Sequence, residues 1–122
     1  MKVAVTVWEN RVSPVFDASR RVLIAEIDAS QITDRSYLFF DPGLPSSLVK
    51  TLTTLDVPVL ICGAVSQAPA NVIAAGGITL ISFIAGEVDR VLDTYAKGES
   101  LVPAFLMPGC HGSISKAAKP AP

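Results

Sequence analysis

The chain has 122 residues, 50% hydrophobic and 17% charged, with 10 Lys and Arg against 11 Asp and Glu for a net charge of −1. That apolar share suffices for one self-standing domain and excludes global disorder. The charge balance excludes a nucleic-acid binder, which concentrates Lys and Arg, and the apolar stretches Val57–Val65 and Ile78–Ala85 fall short of the roughly 18–20 residues that span a bilayer.

No basic region followed by an apolar run opens the sequence, so a cytoplasmic protein is expected, with Cys62 and Cys110 as reduced thiols. Lys2–Val7 alternates β-branched and small residues and reads as a buried strand. Trp8 to Arg21 breaks the alternation and reads as a long irregular loop, a kind of segment that often carries function. Arg21–Asp28 and Ile32–Phe40 read as the two arms of a hairpin turning at Ala29-Ser30-Gln31. Asp41 to Pro45 is turn chemistry. Leu48, Leu52 and Leu55 then share one face of a helix over Ser46–Leu55. Val59–Cys62 is a fourth strand, and Ser66 caps a second helix that tolerates Pro69 in its first turn and stops at Gly76-Gly77. Ile78–Phe83 is a fifth strand. Val88, Val91, Leu92 and Tyr95 mark a third helix, ended by Lys97-Gly98.

The order βββαβαβα predicts an α/β fold with one mixed five-stranded sheet, strand order 3-2-1-4-5, covered by helices. Residues 1–112 form the expected domain. Glu99–Pro122 is rich in proline, and residues 113–122 read as a disordered tail. Either exposed edge strand, Ile32–Phe40 or Ile78–Phe83, could pair copies into a homo-oligomer.

Parallel strands place ligands beyond their carboxyl ends, near the point where connections change direction. There the first loop and the Gly63–Gln67 turn should face one crevice. Gly63 would let a ligand approach the backbone, and the helix starting at Ser66 would aim N–H groups at an anion. A simple strand-to-helix turn explains the same residues. The first loop adds Arg11, Arg20 and Arg21 as cations, Ser13 as a hydroxyl, and Glu9 and Asp17 as carboxylates. Asp17 can instead hold the loop's shape. Cys62, at the end of an apolar strand, fits either a buried small hydrophobe or a thiolate activated by the helix end. Cys110 and His111, the sole histidine, are adjacent and come directly after Pro108-Gly109. Both are soft or borderline metal ligands, too few for a closed zinc site.

Val3-Ala4-Val5-Thr6-Val7 followed by Arg11-Val12-Ser13-Pro14-Val15-Phe16-Asp17 resembles the opening of the dinitrogenase iron-molybdenum cofactor biosynthesis family (NifX/NifB C-terminal-domain-like). Cys62-Gly63-Ala64-Val65-Ser66 is similar to the family's glycine-containing loop. Gly76-Gly77-Ile78, Gly86 to Leu92, and Met107-Pro108-Gly109-Cys110 resemble the later segments of a stand-alone small member. The resemblance implies a ribonuclease-H-like motif and binding of an anionic iron–molybdenum or other metal–sulfur cluster, or a precursor. Carriers of the family often have His where Val15 stands and Gly where Asp17 stands. Any soft-ligand role therefore falls on Cys110, His111 or Cys62.

The resulting expectation is a non-catalytic cluster carrier working between donor and acceptor proteins. Arg11, Ser13, Gly63, Ala64 and Ser66 would hold the anion, and Cys110, His111 and Cys62 would ligate metal. The alternative is a regulatory or interaction module that binds a partner or small anion without metal. An enzyme is not expected. A two-metal nuclease needs converging carboxylates, and Val3–Val7 supplies none. Thiol catalysis needs a cysteine beside a base on a rigid element.

Overall fold

The structure, a computed structural model, describes residues 1–109 and the backbone of 114–115. Cys110 and His111 lie outside the described residues, as does the tail expected over residues 113–122 except Ile114–Ser115, which form a strand. The elements are β1 (Lys2–Trp8), β2 (Arg11–Val12), a 3-10 turn (Phe16–Ala18), β3 (Arg21–Asp28), β4 (Gln31–Phe39), α1 (Pro45–Thr54), β5 (Val59–Ile61), α2 (Gln67–Ala75), β6 (Thr79–Ile81), α3 (Val88–Ala96) and β7 (Ile114–Ser115).

The sheet runs β4-β3-β1-β5-β6-β7, with β2 paired to β1 outside that path. Its five longer strands stand in the expected order, antiparallel across β4-β3-β1 and parallel across β1-β5-β6. The expected five-stranded sheet is nevertheless seven-stranded. The additions, β2 and β7, are two residues each. A pair of residues is too short to carry an alternation, so pattern alone cannot mark such strands.

Two apolar layers cover the sheet. Val3, Val5 and Val7 face α3 together with Leu23, Val59 and Ile61, meeting Val88, Val91 and Leu92. Ala4, Val22, Ile24, Leu60 and Leu80 face the other way, onto Leu48 and Leu52 of α1 and Ile73 of α2. β1 is thus buried on both faces, which is why it reads as an unbroken apolar strand. The hairpin between β3 and β4 turns on Ala29 (φ 51°) and Ser30 (φ 64°), the two left-handed positions that match strand twist. Among the described residues no helix is long and apolar enough to cross a membrane.

Thr6 is the exception on β1. It is fully buried, and its Oγ1 has no hydrogen-bond partner among the described residues. A buried hydroxyl without a partner retains its desolvation cost. Thr6→Val keeps the shape and removes that polar atom. It is expected to stabilise the fold by about 1 kcal/mol in urea denaturation; a loss of stability would show that the hydroxyl is satisfied.

Candidate functional site

The residues expected at the ligand crevice gather at the carboxyl ends of β1 and β5, as the topology requires. What fills the crevice is the chain itself. After β2 the first loop runs alongside the Gly63 turn, with Val15 bridged to Ala64 in parallel. The Phe16 N–H donates to Ala64 O at 2.7 Å, and the Ala64 N–H donates to Pro14 O at 2.8 Å. A Cβ on Gly63 would lie 2.3 Å from Ser13 O and 2.5 Å from Pro14 O. Gly63 therefore admits the chain's own backbone rather than a ligand, and the Ala64 N–H is already engaged. Phe16, fully buried, anchors this loop in the α1–α2 layer and packs on Phe40 at 5.5 Å between ring centroids.

The start of α2 is also occupied. Ser66 stands at the N-cap position, but its hydroxyl makes no capping bond to the helix. It donates instead to Asp17 Oδ1 at 3.3 Å. Asp17 thus places a carboxylate at the positive end of α2, where a bound anion was expected. This bond ties the first loop to the start of α2, and among the described residues no backbone N–H donates to the Asp17 carboxylate.

Cys62 lies in the α1–α2 layer and is fully buried. Its thiol lies 3.4 Å from Gly63 O, as a donor. Burial, reinforced by the negative charge of Asp17, pushes the thiol from its usual 9.0 up to about 12. The helix end does not activate it, because no thiolate can be solvated there. In this fold Cys62 is a small core residue and offers no surface ligand. Among the described residues no three His, Cys, Asp or Glu side chains group to hold a metal ion.

A hollow of about 240 Å³ remains open on the other side of the first loop. Val7, Trp8, Glu9, Ser13, Ala18, Ser19, Arg20 and Arg21 line it. The Ser13 N–H donates to Thr6 O at 2.9 Å, fixing the loop's return over β1. The Ser13 and Ser19 hydroxyls lie 2.7 Å apart, and both reach Val15 O. Arg20 is exposed, while Arg21 is half-buried and stacks its guanidinium over Tyr37, 4.6 Å from the ring centroid. Trp8 is exposed at the rim. Arg11 stands apart, its backbone paired with Trp8 and bridged to Glu87.

Of the expected residues, Ser13 alone lines this hollow. Gly63, Ala64 and Ser66 build its foundation, and Trp8, Ser19, Arg20 and Arg21 complete it. The signal for the arginines was present: three cations, Arg11, Arg20 and Arg21, bracket one loop. Solvated charge in a loop reads the same way.

The fold is a small mixed α/β domain that carries its long first loop beyond the carboxyl end of its first parallel strand. The chain belongs to the dinitrogenase iron-molybdenum cofactor family, whose model matches residues 1–98. Several solved structures share the fold. A Methanocaldococcus jannaschii protein provisionally named a dinitrogenase is 22% identical, with TM-score 0.66 over 98% of this chain and 97% of that one. A Thermotoga protein provisionally named NifB is 20% identical, with TM-score 0.61 over 88% of this chain and 98% of that one. No curated protein matches the chain.

Gly63→Ala forces a methyl into backbone that cannot yield. It is expected to cost about 3 kcal/mol or more in urea denaturation. Gly98→Ala, which meets no atom within 4 Å, should lose only the strain of its positive φ. Equal losses would mean that the loop does not press on Gly63.

The buried thiol also sets a pH dependence. The folded state keeps the Cys62 proton where the unfolded chain releases it. Its contribution is therefore complete below about pH 9 and is lost as pH rises toward 12. Urea midpoints measured through that window should fall more steeply for the parent chain than for Cys62→Ala. Parallel slopes would refute the shift.

Proposed function

We propose that this protein carries an anionic metal–sulfur cluster, or a precursor of one, and that the hollow in the first loop receives it. Membership in the iron-molybdenum cofactor family supports the cargo class. The observation that carries the reading is the hollow itself: two arginines against one carboxylate, Glu9, at one strand end of a chain with net charge −1. Guanidinium groups are weakly hydrated, permanently charged and suited to a diffuse anion. At about 240 Å³ the hollow lies below the roughly 300–1,000 Å³ of pockets for drug-sized organic ligands. A compact inorganic body fits that size better.

The hollow supplies charge but no soft ligand, since its lining contains neither Cys nor His. In this proposal Cys110 and His111 provide thiolate and imidazole from outside the described residues, and the cargo brings its own sulfide. Two protein ligands hold a cluster more exchangeably than a closed cage, which suits transfer between a donor and an acceptor protein. The absence of Cys and His from the lining also favours a second reading, a module that binds a small oxyanion without metal.

Anaerobic incubation with ferrous iron, sulfide and tetrathiomolybdate separates the two. Metal is expected to co-elute with the protein and give charge-transfer absorption. Arg20→Ala with Arg21→Ala should weaken retention at least tenfold, about 1.4 kcal/mol. Cys110→Ser with His111→Ala should abolish the absorption. Retention unchanged in both variants overturns the carrier reading. A colourless protein that binds molybdate alone, and loses it with the arginines, establishes the second.

A further inference from the structure

The outer edge of β4 has no partner strand among the described residues. It spans Gln31–Phe39 at the end of the sheet and contains no Lys or Pro to discourage pairing. Phe39 is 84% exposed and Tyr37 52%, on the face that α3 covers elsewhere.

The pairing of β4 with β3 settles which backbone groups point outward. The Phe40 N–H donates to Arg20 O at 2.9 Å. Leu38, Ser36 and Asp34 stand opposite Val22, Ile24 and Glu26. Strand groups alternate sides, so 34, 36, 38 and 40 bond to β3. The N–H and C=O groups of Arg35, Tyr37 and Phe39 are then directed away from the sheet. The register shift at Glu26/Ile27 leaves Thr33 unpaired at one end, and Asp41-Pro42 stops the strand at the other. The regular edge is therefore Asp34–Phe40, with Tyr37 at its centre.

We propose that this edge pairs antiparallel with the same edge of a second copy of the chain, about a twofold axis at Tyr37. Three features select a second copy. The outward groups are placed symmetrically about Tyr37, as an isologous contact requires. In this register Arg35 of each copy, its guanidinium held by Asp89 of its own α3, lies opposite Phe39 of the other and flanks the most exposed aromatic ring. The open groove between β4 and α3, about 640 Å³, presents Arg35 and Arg90 beside Asp89 and Asp93. Arg35 is paired with Asp89 and Lys97 with Asp93 within the chain, so the groove favours neither an acidic nor a basic stranger. The joined sheets would continue through both molecules, and each copy would keep its first-loop hollow. The pairing does not depend on what that hollow binds.

The register makes the proposal testable. In a Cys110→Ser background, Tyr37→Cys places two thiols on the axis. Their Cα atoms would be about 5.5 Å apart, within disulfide range. Mild oxidation is expected to yield a covalent dimer. Ser36→Cys, opposite Leu38 of the second copy, places its thiols on a diagonal of about 7–8 Å and should cross-link far more slowly. Sedimentation of the parent chain should show a concentration-dependent dimer. Tyr37→Pro removes an outward N–H without touching the β3 ladder. It should weaken that dimer at least tenfold while circular dichroism stays unchanged. A parent chain that remains monomeric to its solubility limit overturns the proposal and leaves the edge to a foreign strand. A dimer indifferent to Tyr37→Pro, or equal cross-linking at positions 36 and 37, overturns it as well.

Discussion

Two backbone hydrogen bonds across Gly63 hold the functional end of this molecule together. They run from Phe16 to Ala64 and from Ala64 to Pro14, and they form because residue 63 has no Cβ. Through them the first loop becomes an addition to the sheet instead of a free excursion. Phe16 is thereby driven into the α1–α2 layer, Cys62 is sealed beneath the loop, and Asp17 is delivered to the start of α2. Ser13 turns back over Thr6, which opens the hollow bounded by Trp8, Arg20 and Arg21. Each of these placements depends on one close approach of backbone to backbone.

The arrangement also decides which positive charge is left for a ligand. A helix end and two arginines compete for any anion near the strand ends. Asp17 satisfies the helix end from within the chain, at the cost of raising the Cys62 thiol further. Arg20 and Arg21 sit on the far side of the loop, where no carboxylate is paired with them among the salt bridges of the described residues. The exposed positive charge near the strand ends is thus that of guanidinium groups rather than of backbone N–H groups.

The sheet was legible because its core strands carry strong signals. β-Branched alternation marked β1, turn residues marked the hairpin, and helix-period leucines marked α1. The elements that escaped, β2 and β7, are two residues long and carry no pattern of their own; only their pairing with β1 and β6 defines them. The meeting of the first loop with the Gly63 turn was legible, and the contacts made there were not. Gly63 correctly signalled a close approach, but a glycine does not say whether ligand or loop makes it. Ser66 correctly signalled a helix start, but its partner Asp17 lies 49 residues away. Cys62 read both ways until the loop above it was placed. Sequence reasoning sees local chemistry well and long-range occupancy poorly.

The loop and the open edge of β4 are not mechanically independent. Phe40 ends the regular edge, and its ring packs on Phe16, the anchor of the loop. Its N–H is bonded to Arg20, whose side chain helps to line the hollow. One strand further in, Arg21 lines the hollow and also stacks over Tyr37, at the middle of the edge. The same arginine pair therefore joins the hollow to the open edge strand of the sheet. Contact alone does not transmit a signal; two arrangements of differing affinity are required. What the geometry does fix is the order of rigidity. β3 is paired on both sides and buried along its first half, so it holds the arginine backbones still. The freedom that remains belongs to the side chains of Arg20 and Trp8, which are exposed and stand at the mouth of the hollow. The hollow thus has a floor of paired strand and a rim of exposed side chains.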